Sequence, residues 1–264
     1  MKKLVFIMVL FLVAGGLFSA QKALLIGNSV YKGITLSAPA NDVALMADAL
    51  GSRGFSVVTK YNLNLGQMRA VADTFAAQIS AEDDVIFYYS GYGAHGEGSH
   101  NYLMPAGMDI GAVRYPDYDR LAFFINAYLP ALKKARSSAV ILESNRTWPL
   151  PDGKKLNLSF VWMGAVAKNQ MLVYATLPDL PIPDETLETS YFTSHLAEEI
   201  NAGAGSLNAV IAQLKNDLPK LTKNQLRPWS TNPLEPDLVF VEQEQAAPSV
   251  PFKSEIEGGG SISW

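Results

Sequence analysis

The chain predicts an α/β fold with a mostly parallel sheet. Three observations carry that expectation: short apolar runs that end in loop residues, amphipathic segments with capping residues between them, and the regular alternation of the two from residue 22 onward. Antiparallel hairpins need only tight turns. Parallel neighbours need crossovers, and the helical segments supply them.

Taken in order, Lys22-Ala23-Leu24-Leu25-Ile26-Gly27 is an apolar run closed by Gly-Asn-Ser, which reads as a buried strand emptying into a loop. Pro39-Ala40-Asn41-Asp42 starts a helix whose apolar positions are Val43, Leu45, Met46, Ala49 and Leu50, stopped by Gly51 and Gly54. Phe55 to Thr59 is the next strand. Asn64 opens a second helix through Met68, Val71, Ala72, Phe75 and Ile79, and Asp84 leads into the strand Val85-Ile86-Phe87-Tyr88-Tyr89. Tyr88 and Tyr89 alternate there, so one is expected to face the core and the other a neighbouring layer. A glycine-rich loop covers Gly91 to Ser99, and Tyr102-Leu103-Met104 is strand-like up to Pro105.

A helix from Asp117 or Asp119 to Lys134 is expected next, with basic residues at its end as the helix dipole favours. Ala139 to Leu142 and, after a polar irregular stretch, Met171 to Ala175 read as further buried strands. Helices are expected at about Thr189 to Ile200 and Ser206 to Leu218, and Leu238 to Val241 is expected to close the sheet. Ligand sites of such sheets lie beyond the carboxyl ends of the strands. Asn28, the Ser90 to Ser99 loop, the Glu143 to Pro149 loop and the Thr176 loop therefore fall along one edge.

Composition bounds the function. The 264 residues are 48% hydrophobic with a net charge of −4, enough for a sizeable core and too acidic to suggest nucleic acid or an anionic membrane surface. Met1-Lys2-Lys3, the apolar run from Leu4 to Ala14 and the small residues up to Ala20 read as an export signal over residues 1–20, too short for a comfortable membrane span. A periplasmic or extracellular protein with no membrane attachment after cleavage is expected. The chain has no cysteine, so stability comes from packing and not from disulfides. Residues 21–242 read as one domain, and residues 243–264, acidic and then glycine-rich, as a solvated tail.

Several separated motifs then come into view. Ala23-Leu24-Leu25-Ile26-Gly27-Asn28-Ser29 with Tyr31, Pro39-x-Asn41-Asp42, Phe87-Tyr88-Tyr89-Ser90-Gly91-Tyr92-Gly93, Asn101 to Pro105, Ile141-Leu142 with Arg146 and Pro149, Val173 to Thr176 and Pro228-Trp229 occur in one order along the chain. Together they resemble the caspase-like and metacaspase-like cysteine peptidases of bacteria. The resemblance implies a three-layer α/β/α fold on a mostly parallel six-stranded sheet, and a Cys-His dyad that cleaves peptide bonds. Here Tyr92 stands at the family's His position and Asn145 at its Cys position, so no intact catalytic pair is expected. An amide is no nucleophile, and a tyrosine protonated at neutral pH is no base.

Glu143 stands where family members that prefer basic side chains keep an Asp in the specificity pocket. It can receive a Lys or Arg side chain or pair with Arg146, and both readings stay open. The expected function is an exported, catalytically inactive module that binds a protein or peptide in the former groove through Asn28, Tyr92, Glu143, Ser144 and Asn145. The alternative is a hydrolase with a non-cysteine nucleophile, Ser144 served by His95, although neighbours on an extended segment point to opposite faces. His95, Glu97 and His100 are close in one loop, yet no metal and no cofactor are expected.

Overall fold

The structure, a computed structural model, describes residues 20–150, 152–182, 187–203 and 205–240. The export signal expected over 1–20, apart from Ala20, and the tail expected over 243–264 lie outside the described residues. β1 (Gln21–Gly27) is followed by a ribbon of two short strands, β2 (Val30–Tyr31) and β3 (Ile34–Thr35), and by α1 (Ala38–Gly51). Pro39 falls in the first turn of α1, where its missing N–H would have had no partner in any case. β4 (Ser56–Tyr61), α2 (Leu65–Ala77) and β5 (Asp84–Ser90) follow. Asn64 caps α2 reciprocally: its side chain accepts from the Gln67 amide at 3.0 Å, and the Gln67 side chain accepts from the Asn64 amide at 3.0 Å.

Beyond β5 the chain forms the hairpin β6 (Gly93–His95) and β7 (Asn101–Leu103), the short helix α3 (Tyr118–Leu121), β8 (Phe123–Phe124) and α4 (Ile125–Leu132). The single helix expected from Asp117 or Asp119 to Lys134 is thus two helices with a strand between them. Ala122 is extended, and Phe123 and Phe124 pair with Leu103 and Tyr102. The ladder and the burial of Phe123 outweigh a helical spacing that is otherwise unbroken.

The rest comprises β9 (Ser137–Glu143), the hairpin β10 (Arg146–Pro149) and β11 (Lys155–Leu158), β12 (Gln170–Tyr174), α5 (Tyr191–Ala202), α6 (Leu207–Leu221) and β13 (Trp229–Ser230). The main sheet has six strands in the order β13-β12-β9-β5-β1-β4, parallel throughout except for β13 against β12. The closing strand is therefore at Trp229–Ser230 and not at Leu238 to Val241, of which Val241 lies outside the described residues. Leu238 and Phe240 turn into the core instead, Val239 forms an isolated bridge with Ser206, and the Leu238 carbonyl accepts from the Leu207 amide at 2.8 Å at the start of α6.

Strand alternation sorts the core into two layers. Ala23, Leu25, Ile86, Tyr88, Ile141 and Val173 pack against α1, α5 and α6. Leu24, Ile26, Phe87, Tyr89, Leu142 and Leu172 pack against α2 and α4. This is the three-layer α/β/α arrangement, and Tyr88 and Tyr89 face opposite layers in it. A third cluster, including Tyr31, Tyr92, Tyr102, Met104, Trp148 and Leu158, joins the loops beyond the carboxyl ends of the strands.

Candidate functional site

Gly27, Ser90 and Glu143 are in register across β1, β5 and β9. Asn28, Gly91-Tyr92 and Ser144-Asn145-Arg146 therefore leave the sheet side by side. Of the five residues expected to line a groove, Asn28, Tyr92, Glu143, Ser144 and Asn145, none is more than 2% exposed.

Their partners explain the burial. The Asn28 amide donates to the Leu63 and Met104 carbonyls at 3.3 and 3.1 Å and accepts from the Leu63 amide at 2.9 Å, bracing the β1 loop against two others. The Tyr92 ring meets Tyr31 and Trp148 edge-on at 4.9 and 5.3 Å, and its hydroxyl donates to the Thr147 carbonyl at 3.2 Å. Asn145 donates to the Leu177 carbonyl at 3.0 Å, and its side-chain oxygen accepts from the Phe160 amide at 3.1 Å. It thereby ties together two segments that cover the site. Gly91, at φ +156°, is a position only glycine fills, because a Cβ would meet the Tyr89 and Tyr31 hydroxyls at 2.6 and 2.7 Å. The Phe160 ring lies so close to Gly93 that a Cβ there would stand 2.3 Å from it.

The Ser144 hydroxyl is buried without a hydrogen-bond partner. His95 is exposed on β6, and its ring Nδ1 pairs with the Gly96 carbonyl at 3.0 Å. The two residues of the alternative Ser-His pair are thus not hydrogen-bonded. His100 packs its ring 4.8 Å from Phe124, and Glu97 accepts from the Tyr115 hydroxyl at 3.3 Å. Among the described residues no group of His, Asp and Glu gathers with the geometry of a metal site.

Behind Tyr92 and Asn145 lies a buried polar pocket. Asp42, from the first turns of α1, accepts from the Ser90 hydroxyl at 2.7 Å, the Ser190 amide at 2.8 Å and the Ser190 hydroxyl at 2.7 Å. Glu143, at the end of β9, has both carboxyl oxygens buried without a hydrogen bond. Arg146, itself buried, reaches between them: its Nη2 is 3.7 Å from Glu143 Oε1 and donates to the Ser190 hydroxyl at 3.4 Å, and its Nε donates to the Gly91 carbonyl at 3.3 Å. Of the two readings open for Glu143, the pairing with Arg146 is the one the side chains adopt.

Two carboxyl groups share one guanidinium, and burial pushes both upward. Glu143 rises from its ordinary 4.5 to about 8, through burial first, with Arg146 opposing, Asp42 adding to the rise and the Ser190 hydroxyl weakly opposing it. Asp42 also rises through burial, with Arg146 and the serine donors opposing. Asp42 has three close donors and the amino end of α5 before it, whereas among the described residues Glu143 has no donor at comparable distance. Asp42 is therefore the better placed of the two to carry negative charge, while the rise of Glu143 to about 8 favours its protonated form at neutral pH.

Sequence reasoning reached Glu143 and Arg146 and passed over Asp42, Ser90 and Ser190 as site residues. A signal for Asp42 was present. It stands at the 42, 46, 49 spacing of the face of α1 that carries the buried Met46 and Ala49, and a carboxylate on such a face needs a buried partner. Ser190 carried no comparable signal, because its partner is distant in sequence.

A family model described as Caspase domain matches residues 20–239. No curated protein matches the chain. The order of strands and crossovers agrees with that match, the complete lack of cysteine fits a substituted catalytic pair, and the chain belongs to the caspase-domain family.

Proposed function

We propose that the chain is an exported caspase-domain protein that cleaves no peptide bond and works as a protein- or peptide-binding module. The observation that carries this reading is Asn145. At the nucleophile position stands an amide engaged through both its nitrogen and its oxygen, in a chain with no thiol anywhere. Tyr92, at the base position, is buried among aromatic rings and hydrogen-bonded to a carbonyl. Loss of both members of a catalytic pair removes on the order of 10⁶ in turnover. The competing hydrolase reading needs a Ser144–His95 contact that the two side chains do not make.

Since the expected groove residues are buried, the ligand surface belongs beside them. A cleft of about 300 Å³ runs between β6 and β11, with His95, Arg114, Tyr115, Leu156 and Ser159 among its walls. It offers aromatic and cationic groups to an extended peptide at the same edge of the sheet.

The test uses the chain from Gln21 onward against a mixed peptide library, read for cleavage and for retention. The expected result is no cleavage above that of a Ser144→Ala, Asn145→Ala double variant, together with peptides retained by the parent and lost from a His95→Ala, Tyr115→Ala variant. Cleavage that disappears in the double variant overturns the reading in favour of a rebuilt hydrolase. Failure to retain any peptide overturns the binding role.

A further inference from the structure

The two edges of the main sheet differ. β13 has two residues, whereas β4 keeps six in unbroken register with β1 and, among the described residues, has no strand on its other side. The Asn62 amide continues that ladder by donating to the Gly27 carbonyl at 2.9 Å. By alternation Val58 and Lys60 also turn their backbone groups to β1, and Val57, Thr59 and Tyr61 turn theirs outward. Outward groups of this kind are a template for a further strand, and β4 has neither the proline nor the bulge that commonly guards such an edge. Beside them a cleft of about 310 Å³ runs between β4 and α2, walled by Val58, Lys60, Val71, Thr74, Phe75 and Gln78. We infer that this edge is the docking site of residues 250–256 of the same chain, which add to β4 as a further strand and set Val250, Phe252 and Ile256 into the cleft.

Three observations select this occupant. The first is the path of the chain. Phe240, where the described residues end, packs its ring 6.2 Å from that of Phe55, the residue before β4. Residues 241–249 reach up to about 30 Å when extended, more than the roughly 20 Å that a strand of this length spans, so the segment comes to the edge on a tether that keeps its local concentration high. The second is pattern. Val250, Phe252, Ser254 and Ile256 alternate with Pro251, Lys253 and Glu255, which gives a strand one face that is apolar but for a serine and one that is mostly polar. Residues that share a face also turn their backbone groups to one neighbour. With Val250, Phe252 and Ile256 bonded to β4, Pro251 therefore turns its missing N–H outward, where an edge strand tolerates proline and where it guards the new edge. The third is charge. Lys60 makes no ion pair among the described residues, and residues 241–264 carry Glu242, Glu244, Glu255 and Glu257 against Lys253 alone. The inference goes beyond the binding-module reading and shares no residue with the cleft between β6 and β11, so either can fail alone.

Amide exchange of β4 is compared in the chain from Gln21 to Trp264, in the same chain ended at Phe240, and in a full-length Phe252→Asp, Ile256→Asp variant. The expected result is exchange in β4 at least about tenfold slower in the parent than in either variant, while remaining faster than in β1, β5 and β9, whose own rates do not change. The double variant keeps the chain length, so it gives the answer if the shortened chain does not fold. A second measurement uses the absence of native cysteine. Val58→Cys is combined in turn with Phe252→Cys, Lys253→Cys, Ser254→Cys and Glu255→Cys and oxidised. Because a disulfide needs side chains on one face and Cα atoms within about 7 Å, intrachain bonds are expected with 252 and 254 and not with 253 and 255. Equal β4 exchange in the parent and both variants overturns the inference, as does cross-linking indifferent to the alternation. Cross-links that appear only in a dimer assign the edge to a second copy and overturn it too.

Discussion

Glu143 is the residue whose chemistry departs furthest from its ordinary state. Among the described residues its carboxyl, sealed from water, has no close hydrogen-bond donor, the Ser190 hydroxyl and Arg146 offset its burial only in part, and its cation is shared with an acid that holds three donors. Its folded value of about 8 lies above the ordinary 4.5, so between those values the native state binds a proton that the unfolded chain has released. The stability contribution is full below about 4.5 and is lost as pH rises to about 8, at up to ~1.4 kcal/mol per unit. Asp42 is displaced in the same direction and adds to the slope. Glu143→Gln, an amide in place of the protonated acid, is expected to flatten this profile, matching the parent at acidic pH and exceeding it in alkaline solution. Denaturant midpoints across the pH range measure it, and parallel profiles for the two proteins would show that Glu143 does not carry the proton. The resemblance of the motif around residues 141–146 to the family pattern points to Glu143 and Asn145 from sequence, because departures from that pattern stand out within it. Their burial was not legible. It comes from Phe160 and the segment around Leu177, which no spacing rule connects to them.

At the scale of elements, what could be read was what is locally encoded. The strands β1, β5, β9 and β12 are continuous apolar runs, buried on both faces as parallel strands are, and α1, α2, α5 and α6 carry helical apolar spacing. The two-residue strands β8 and β13 have too few residues to show a period, and each exists because a partner strand is already in place. The same holds for the β10–β11 hairpin, whose inner residues Arg146, Trp148 and Leu158 are buried under the carboxyl edge. β6 gives a direct test of how tightly these added elements pack. Gly93 lies under the Phe160 ring with no room for a methyl group, so Gly93→Ala should lower stability by ~1–3 kcal/mol through overpacking. The same change in a Phe160→Leu background should cost less, and a double-mutant cycle of thermal or denaturant unfolding separates the pair. Equal costs in both backgrounds would place the strain elsewhere.

For the molecule as a whole, the sheet divides the core into two layers, while the third cluster stands apart beyond the strand ends and is built from loops and short ribbons. Stability should follow that division, because the central strands open only with the fold, whereas the outer edge and the appended hairpins open locally. Slowest amide exchange is therefore expected at Leu24 to Ile26, Ile86 to Tyr89 and Ala139 to Leu142, where β1, β5 and β9 have strand neighbours on both sides. β4, at one edge of the sheet, and the hairpin from Arg146 to Leu158 should exchange sooner. The hairpin is joined to the pocket by the Arg146 contacts with Glu143, Ser190 and Gly91. Removing the Arg146 side chain should thus accelerate exchange from Arg146 to Leu158 well beyond its effect on β1 and β5. Hydrogen exchange followed by mass spectrometry reads both patterns in one experiment. If the change instead spread evenly over the whole sheet, the pocket and the core would form a single cooperative unit, and the hairpin would have no independent freedom to open the site.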